Sequence, residues 1–243
     1  MFHSELPLLF FDKVSFINTT INESNFYNGT FTGCTFEDTT FDEAVLADAE
    51  FTDCIFTRTT FNYVGLSGAK FNACTFTHTT FNIVDVSDVK FHGTTLSHVD
   101  FTGSNLYGAD FTDATLNDVD FTHAELYGVD FTNIDLSSCT LTNSWLSETK
   151  LPVNLSGLNI SRANMSKMDL TGTNLTGANL IGANLTKANL TKANLTGANL
   201  TDANLTDANL TKAIVNGTIF NNTKVTSAIF DNVKLSDAII SGG

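Results

Sequence analysis

A large apolar side chain returns at every fifth position from Phe11 through Phe16, Ile21, Phe26, Phe31, Phe36, Phe41, Leu46 and Phe51, and holds that phase to Leu146 and Leu151. After Pro152 it resumes one residue early, at Leu155, Ile160, Met165 and Leu170, and runs on through Leu175 and Leu210 to Ile240. Two residues before most of these centres stands a small or β-branched side chain, such as Cys34, Thr39, Ala44, Ala49 and Cys54, and later Ala178, Ala183, Ala188 and Ala193. The other three positions are mostly Thr, Asn, Asp, Gly or Ser. A period of five fits neither an α-helix, at 3.6, nor a flat strand, at 2. It fits a coil that bends at every repeat, sending two of five side chains inward and three outward.

A slower period sets the number of repeats in a turn. Cys34, Cys54 and Cys74 recur every 20 residues, as do the Thr-Thr-Phe triplets ending at Phe41, Phe61 and Phe81 and the Leu-Tyr-Gly triplets beginning at Leu106 and Leu126. Four pentapeptides therefore make one turn. Phe31, Phe51, Phe71, Phe91, Phe111 and Phe131 become one interior ladder, beside Ile21, Phe41, Phe61, Phe81, Phe101 and Phe121. Parallel coils spaced by ~4.8 Å give about twelve turns and a rod roughly 55 Å long. The expected organisation is a cap segment over 1–10 and a single β-helix over 11–243, with a register slip at 151–155. Pro152 cannot donate a ladder hydrogen bond, so a kink or coil defect is expected there.

Composition and charge narrow the functional classes. The chain has 21 Phe and 16 Gly but 2 Pro, and a net charge of −14, which disfavours direct nucleic-acid binding, a process driven by Lys and Arg on phosphates. Residues 1–150 hold 21 acidic and 5 basic side chains (−16), whereas 151–243 hold 5 acidic and 7 basic (+2), so the rod has two electrostatic characters. No segment approaches the ~18 apolar residues that span a bilayer, and the start has no basic stretch before its apolar run; a cytoplasmic protein without a membrane partner is expected.

Ala178-Asn179-Leu180, Ala183-Asn184-Leu185-Thr186-Lys187 and Ala203-Asn204-Leu205-Thr206-Asp207 resemble the consensus Ala-(Asp/Asn)-Leu-x-x of the pentapeptide-repeat family, and the likeness extends over nearly the whole chain. The resemblance implies an all-β fold, a right-handed quadrilateral parallel β-helix. It also implies a role. Some members of the family protect DNA gyrase from quinolones or toxins as acidic imitations of DNA, and others are effectors delivered into a host. The gyrase-protecting members share a C-terminal dimerising helix, and in some cases projecting loops, that are not matched by the ending Ala238-Ile239-Ile240-Ser241-Gly242-Gly243. Delivered members carry a separate targeting region.

The chemistry-bearing residues have mostly structural readings. Cys34, Cys54, Cys74 and Cys139 occupy the small inward position and read as packing. His78, His92, His98 and His123 fall on outward positions, His78 and His98 stacked above Arg58, with no third ligand to make a metal site. Carboxylate pairs such as Asp118 with Asp120, or Asp42 with Glu43, sit on a convex face that gives no cleft for acid catalysis. Asp100, Asp110, Asp120 and Asp130, just before their centres, can cap the local backbone, whereas Asp48, Asp53, Asp88, Asp113 and Asp118 are expected to be freely solvated. Tyr27, Tyr63, Tyr107, Tyr127 and Trp145 are the outward aromatics. The candidate partner-binding set is therefore Tyr107, Tyr127 and Trp145 with Asp110, Asp113, Asp118 and Asp120. The expected function is a non-enzymatic protein-interaction or scaffold rod without cofactor, metal or catalytic residues. The alternatives are a DNA-imitating modulator of gyrase and a delivered effector. The centres Val225, Phe230, Leu235 and Ile240 have little sequence after them to cover them, so a homodimer through the C-terminal turn is also expected.

Overall fold

Each pentapeptide has to redirect the backbone, and one residue in it does so. Two residues after nearly every centre, φ is positive: Lys13 at 55°, Asn18 at 49°, Asp53 at 54°, His98 at 53°, Lys187 at 60° and Gly177 at 66°. An L-residue loses roughly 1–2 kcal/mol in this left-handed region. Here the strained N–H lies in the ladder of the next coil, as when Lys13 N donates to Thr32 O at 2.8 Å and Asn18 N to Glu37 O at 2.9 Å.

The computed structural model describes residues 9–82 and 84–241, which form a parallel β-solenoid with four ladders of apolar centres. On three faces the first coils form sheets of three-residue strands. One sheet joins Phe10–Asp12, Thr30–Thr32, Glu50–Thr52 and Lys70–Asn72; the second has six strands, from Ser15–Ile17 to Thr115–Asn117; the third runs from Thr20–Asn22 to Thr80–Asn82. Partners lie 20 residues apart, Phe31 opposite Phe51 and Phe56 opposite Phe76. The remaining face, and most later coils, are joined through single bridges such as Asn184↔Asn204. The cap segment expected over 1–10 lies, as far as Leu8, outside the described residues, and Phe10 is already in the first strand.

The carbonyls flanking each centre serve the ladder, which leaves the centre's own C=O to be satisfied. Two kinds of corner solve this. In the tight kind the next small residue closes a turn, as Ala49 N donates to Leu46 O and Ala178 N to Leu175 O, both at 3.0 Å. In the open kind, typical of the Thr-Phe-Thr strands, an inward side chain from the following coil donates instead. Thr39 Oγ1 reaches Phe16 O at 3.0 Å, Thr59 Oγ1 reaches Phe36 O at 3.0 Å and Cys54 Sγ reaches Phe31 O at 3.4 Å. These hydroxyls are fully buried, and among the described residues no buried side-chain polar atom lacks a partner.

Inside, Phe rings stack coil on coil: Phe31 on Phe51 at 4.5 Å, Phe36 on Phe56 at 4.8 Å, and Phe71 between Phe51 and Phe91 at 4.8 and 5.5 Å. Beyond 155 the centres are mostly Leu, Phe returning only at Phe220 and Phe230, and the outside carries an Asn ladder. Asn184 Oδ1 accepts from Thr186 N and Oγ1, while its Nδ2 donates to Asn164 Oδ1 at 3.1 Å. At the C-terminal end Val225, Ile229, Leu235, Ile239 and Ile240 are exposed, beside a one-turn 3₁₀ helix over Leu235–Asp237.

The slip is absorbed differently on different faces. Thr140↔Asn159 and Trp145↔Asn164 keep the ladder with a 19-residue coil. Lys150, however, pairs only with the coil before it, through Val129 O and Phe131 N, whereas Val153 and Leu155 pair only with Asn174 of the coil after. No bridge joins Lys150 to Asp169 or Asp135 to Asn154 among the described residues. Two seams thus open in the wall around Pro152, and one coil earlier, among the described residues, no bridge joins Asp110 to Asp130 or Thr115 to Asp135 either.

Phe71→Ala, which removes a fully buried ring, should cost about 3–5 kcal/mol, and Thr77→Ala, half-buried on the outer side, about 0.5 kcal/mol; equal shifts in denaturant midpoint would contradict this interior. Thr59→Val, which keeps the shape but removes the donor to Phe36 O, should cost about 1–3 kcal/mol, and Thr59→Ser much less.

Candidate partner-binding face

Tyr107 follows the centre Leu106, Tyr127 follows Leu126 and Trp145 precedes Leu146, so all three stand on one face over three successive coils. The ladder Asn105↔Glu125↔Trp145 places Glu125 directly above Trp145 and beside Tyr127. The tyrosine rings stack at 5.6 Å, 10° from parallel. Tyr107 is 51% exposed, Tyr127 37% and Trp145 57%. Together with Glu125 and Ser147 they frame a hollow of about 490 Å³. The nearby Glu148 carboxylate holds the pKa of the Tyr127 hydroxyl above the ordinary tyrosine value.

Next to this hollow lie the seams. The gap between Lys150 and Asp169 is a depression of about 600 Å³, whose lining includes Tyr127, Ser147, Glu148, Lys167, Met168 and Asp169. It shares Tyr127 and Ser147 with the aromatic hollow. Around the corner a smaller depression, about 320 Å³, lies beside the unbridged pair Asp110 and Asp130 and includes Asp113, Asp130, Ile134 and Lys150 in its lining. Lys150 Nζ donates to Asp130 Oδ2 at 2.8 Å. This charge, with two hydrogen bonds from Thr132, lowers the Asp130 pKa to about 2.

The acidic members of the candidate set do not join the aromatics. Asp110 accepts from Thr112 N and Oγ1 and lies 3.7 Å from Lys90; burial is the largest single effect and raises its pKa, but the Thr112 bonds and the nearby cation together outweigh it and lower the pKa. Asp120 accepts from Thr122 N. Asp100 and Asp130 cap their corners in the same way, as their position before the centre suggested. Asp118 departs from the expectation of free solvation: His98 Nδ1 lies 2.7 Å from its Oδ2, because αL side chains of successive coils point the same way and meet. Glu125 and Glu148, which do border the aromatics, were not singled out from the sequence. The four-residue step beside Pro152 was the available signal for the seams.

The cysteines are buried, and burial pushes the thiols of Cys34 and Cys74 up and that of Cys139 to about 11. His78 and His98 stack at 4.6 Å, with Arg58 one coil away bound to Asp38 and Glu37. Among the described residues no group of three His, Cys, Asp or Glu side chains is placed to hold a metal ion, and no helix is long and apolar enough to cross a membrane.

Comparison with known families matches residues 9–81, 54–127 and 74–151 to a pentapeptide repeat region, and 153–186, 169–202 and 203–242 to pentapeptide repeats in eight copies. Among solved structures, the chain is similar to HetL, a pentapeptide repeat protein involved in heterocyst differentiation regulation in the cyanobacterium Nostoc sp. strain PCC 7120, at 20% identity over 95% of this chain and 90% of that one, with a TM-score of 0.42. It is similar to a trypsin-treated form of QnrB1, a plasmid-mediated fluoroquinolone resistance protein, at 20% identity over 91% and 90% of the two chains, TM-score 0.31. A thylakoid-lumen pentapeptide repeat protein of Arabidopsis thaliana matches at 33% identity over 51% and 66%, TM-score 0.21. No curated protein shows significant similarity.

Lys150→Gln should raise the Asp130 pKa from about 2, while the Thr132 bonds keep it below the ordinary carboxylate range. A depressed carboxylate stabilises the fold above its unfolded pKa and loses that contribution as pH falls through the folded value, so the variant should lose it at a higher pH. Carboxylate NMR titration reads this directly, and an unmoved Asp130 would assign the shift to Thr132 alone.

Proposed function

The chain belongs to the pentapeptide-repeat family, and on that premise we propose that it acts as a non-enzymatic rod that docks a protein partner on the face carrying Tyr107, Tyr127 and Trp145. The supporting observation is the coincidence of three exposed aromatic rings with an interruption of the ladder. Elsewhere the described wall is mostly ladder-bonded Thr, Asn and Asp, and such a surface gives a partner little to bury. Tyr and Trp are the side chains that dominate binding energy when a partner excludes water from them, and the seam supplies the concavity that a flat solenoid face lacks.

A second reading, an acidic rod that imitates DNA and acts on DNA gyrase, draws on the −16 charge of residues 1–150. Its four nominated carboxylates fit less well. Asp110 and Asp120 cap their own corners and Asp118 faces His98, so only the Asp113 carboxylate has neither a hydrogen bond nor an ion pair among the described residues. The aromatic face is therefore preferred.

A photo-crosslinking side chain separates a docking face from a bland wall. Trp145→p-benzoylphenylalanine should trap one discrete protein in the native cell, whereas the same replacement at exposed Thr226, farther along the same face, should trap none. Equal yields at the two sites would remove the proposal. A parallel supercoiling assay with purified gyrase at low salt tests the second reading, which an inert rod would end.

A further inference from the structure

The aromatic hollow has an electrostatic character of its own. Within the acidic part of the chain Arg58 is bound to Glu37 and Asp38, Lys90 lies near Asp110, and Lys150 is bound to Asp130. Glu125, at the centre of the hollow, has no cation within ion-pair distance among the described residues. The hollow thus presents an unneutralised carboxylate among ring faces, and it lacks one component that chemistry would supply, a planar cation.

Resting on the docking reading above, we infer that the hollow formed by Tyr107, Glu125, Tyr127 and Trp145 receives an arginine-bearing extended segment of the partner protein. A guanidinium lies flat on Tyr or Trp rings and donates in a fixed fork to a carboxylate, whereas an ammonium offers only a point charge. Trp145 and Glu125 sit on successive coils, separated by the ~4.8 Å ladder spacing, so one guanidinium can cover the indole while its edge meets Glu125. Charge complementarity also sets polarity. Lys167 lines the far side of the larger depression, so a basic segment is steered toward Tyr107 and away from Lys167.

Trp145 is the only tryptophan in the chain, so its emission reports occupancy without a label. The probe is the blocked hexapeptide Ser-Arg-Val-Arg-Ser-Gly, compared with versions carrying Lys or the neutral isostere citrulline and with free arginine amide. The Arg peptide should change Trp145 emission saturably. The Lys version should bind about fivefold and the citrulline version about tenfold more weakly. Glu125→Gln should weaken the Arg peptide about tenfold, and Asp202→Asn, remote from the hollow, should leave it unchanged. Equal binding of the Arg and citrulline peptides, indifference to Glu125→Gln, or no saturable change would each overturn the inference, as would free arginine amide binding as tightly as the peptide. A discrete adduct at position 145 together with any of those results would leave the docking face standing and remove only the arginine.

Discussion

A left-handed residue at nearly every corner is the constraint on which the rest of this molecule depends. Without it the chain would not turn every five residues, and the centres would not fall into four ladders. The position is occupied by Gly at Gly177 and Gly197 but also by Lys13, Arg58, Tyr63 and His98, side chains with no intrinsic liking for that conformation. Ladder bonds hold Lys13, Arg58 and His98 there, since the N–H of each is used by the next coil, as with Arg58 N to Thr77 O. Side-chain identity at the corner is therefore free to serve the surface.

That freedom accounts for the different character of the two parts of the rod. Before the slip, Phe centres and Thr or Cys at the small position produce open corners that borrow a buried hydroxyl or thiol to satisfy the centre's carbonyl. After it, Ala-Asn-Leu units close tight turns by themselves, and the Asn side chain serves both its own corner and its neighbour's. A hydroxyl facing a core would usually cost stability. Here Thr59 and Thr79 contribute it, because the partner is a carbonyl that nothing else reaches.

The fold was legible in the sequence because both of its periods are written in side-chain size: Phe71 had to be inside, and 20-residue spacing had to set Phe51 and Phe91 against it. The capping role of Asp100 and Asp120 followed from position in the same way. The hollows were less legible. Their walls depend on which ladder bonds fail near Pro152, and a four-residue step does not say whether the shortage falls on one face or two. Glu125 and Glu148 look like any other outward acids until Trp145 and Tyr127 are placed beside them. His98 and Asp118, 20 residues apart, carried their contact in the spacing, but only the αL direction of both side chains brings them to 2.7 Å.

The broken ladder also determines how the rod holds together as a thermodynamic object. In a solenoid each coil is coupled only to its neighbours, so cooperativity is a chain of interface energies and the weakest interface decides where the chain divides. Among the described residues bridges are missing between Lys150 and Asp169 and between Asp135 and Asn154, and one coil earlier between Asp110 and Asp130 and between Thr115 and Asp135. The coils from Asp110 to Asp169 are thus a broad domain wall in the physical sense. Across it the ladder continues unbroken on two faces, through Glu125, Trp145 and Asn164 and through Asp120, Thr140 and Asn159, and an opening fluctuation that starts on one side meets its least resistance to stopping within it.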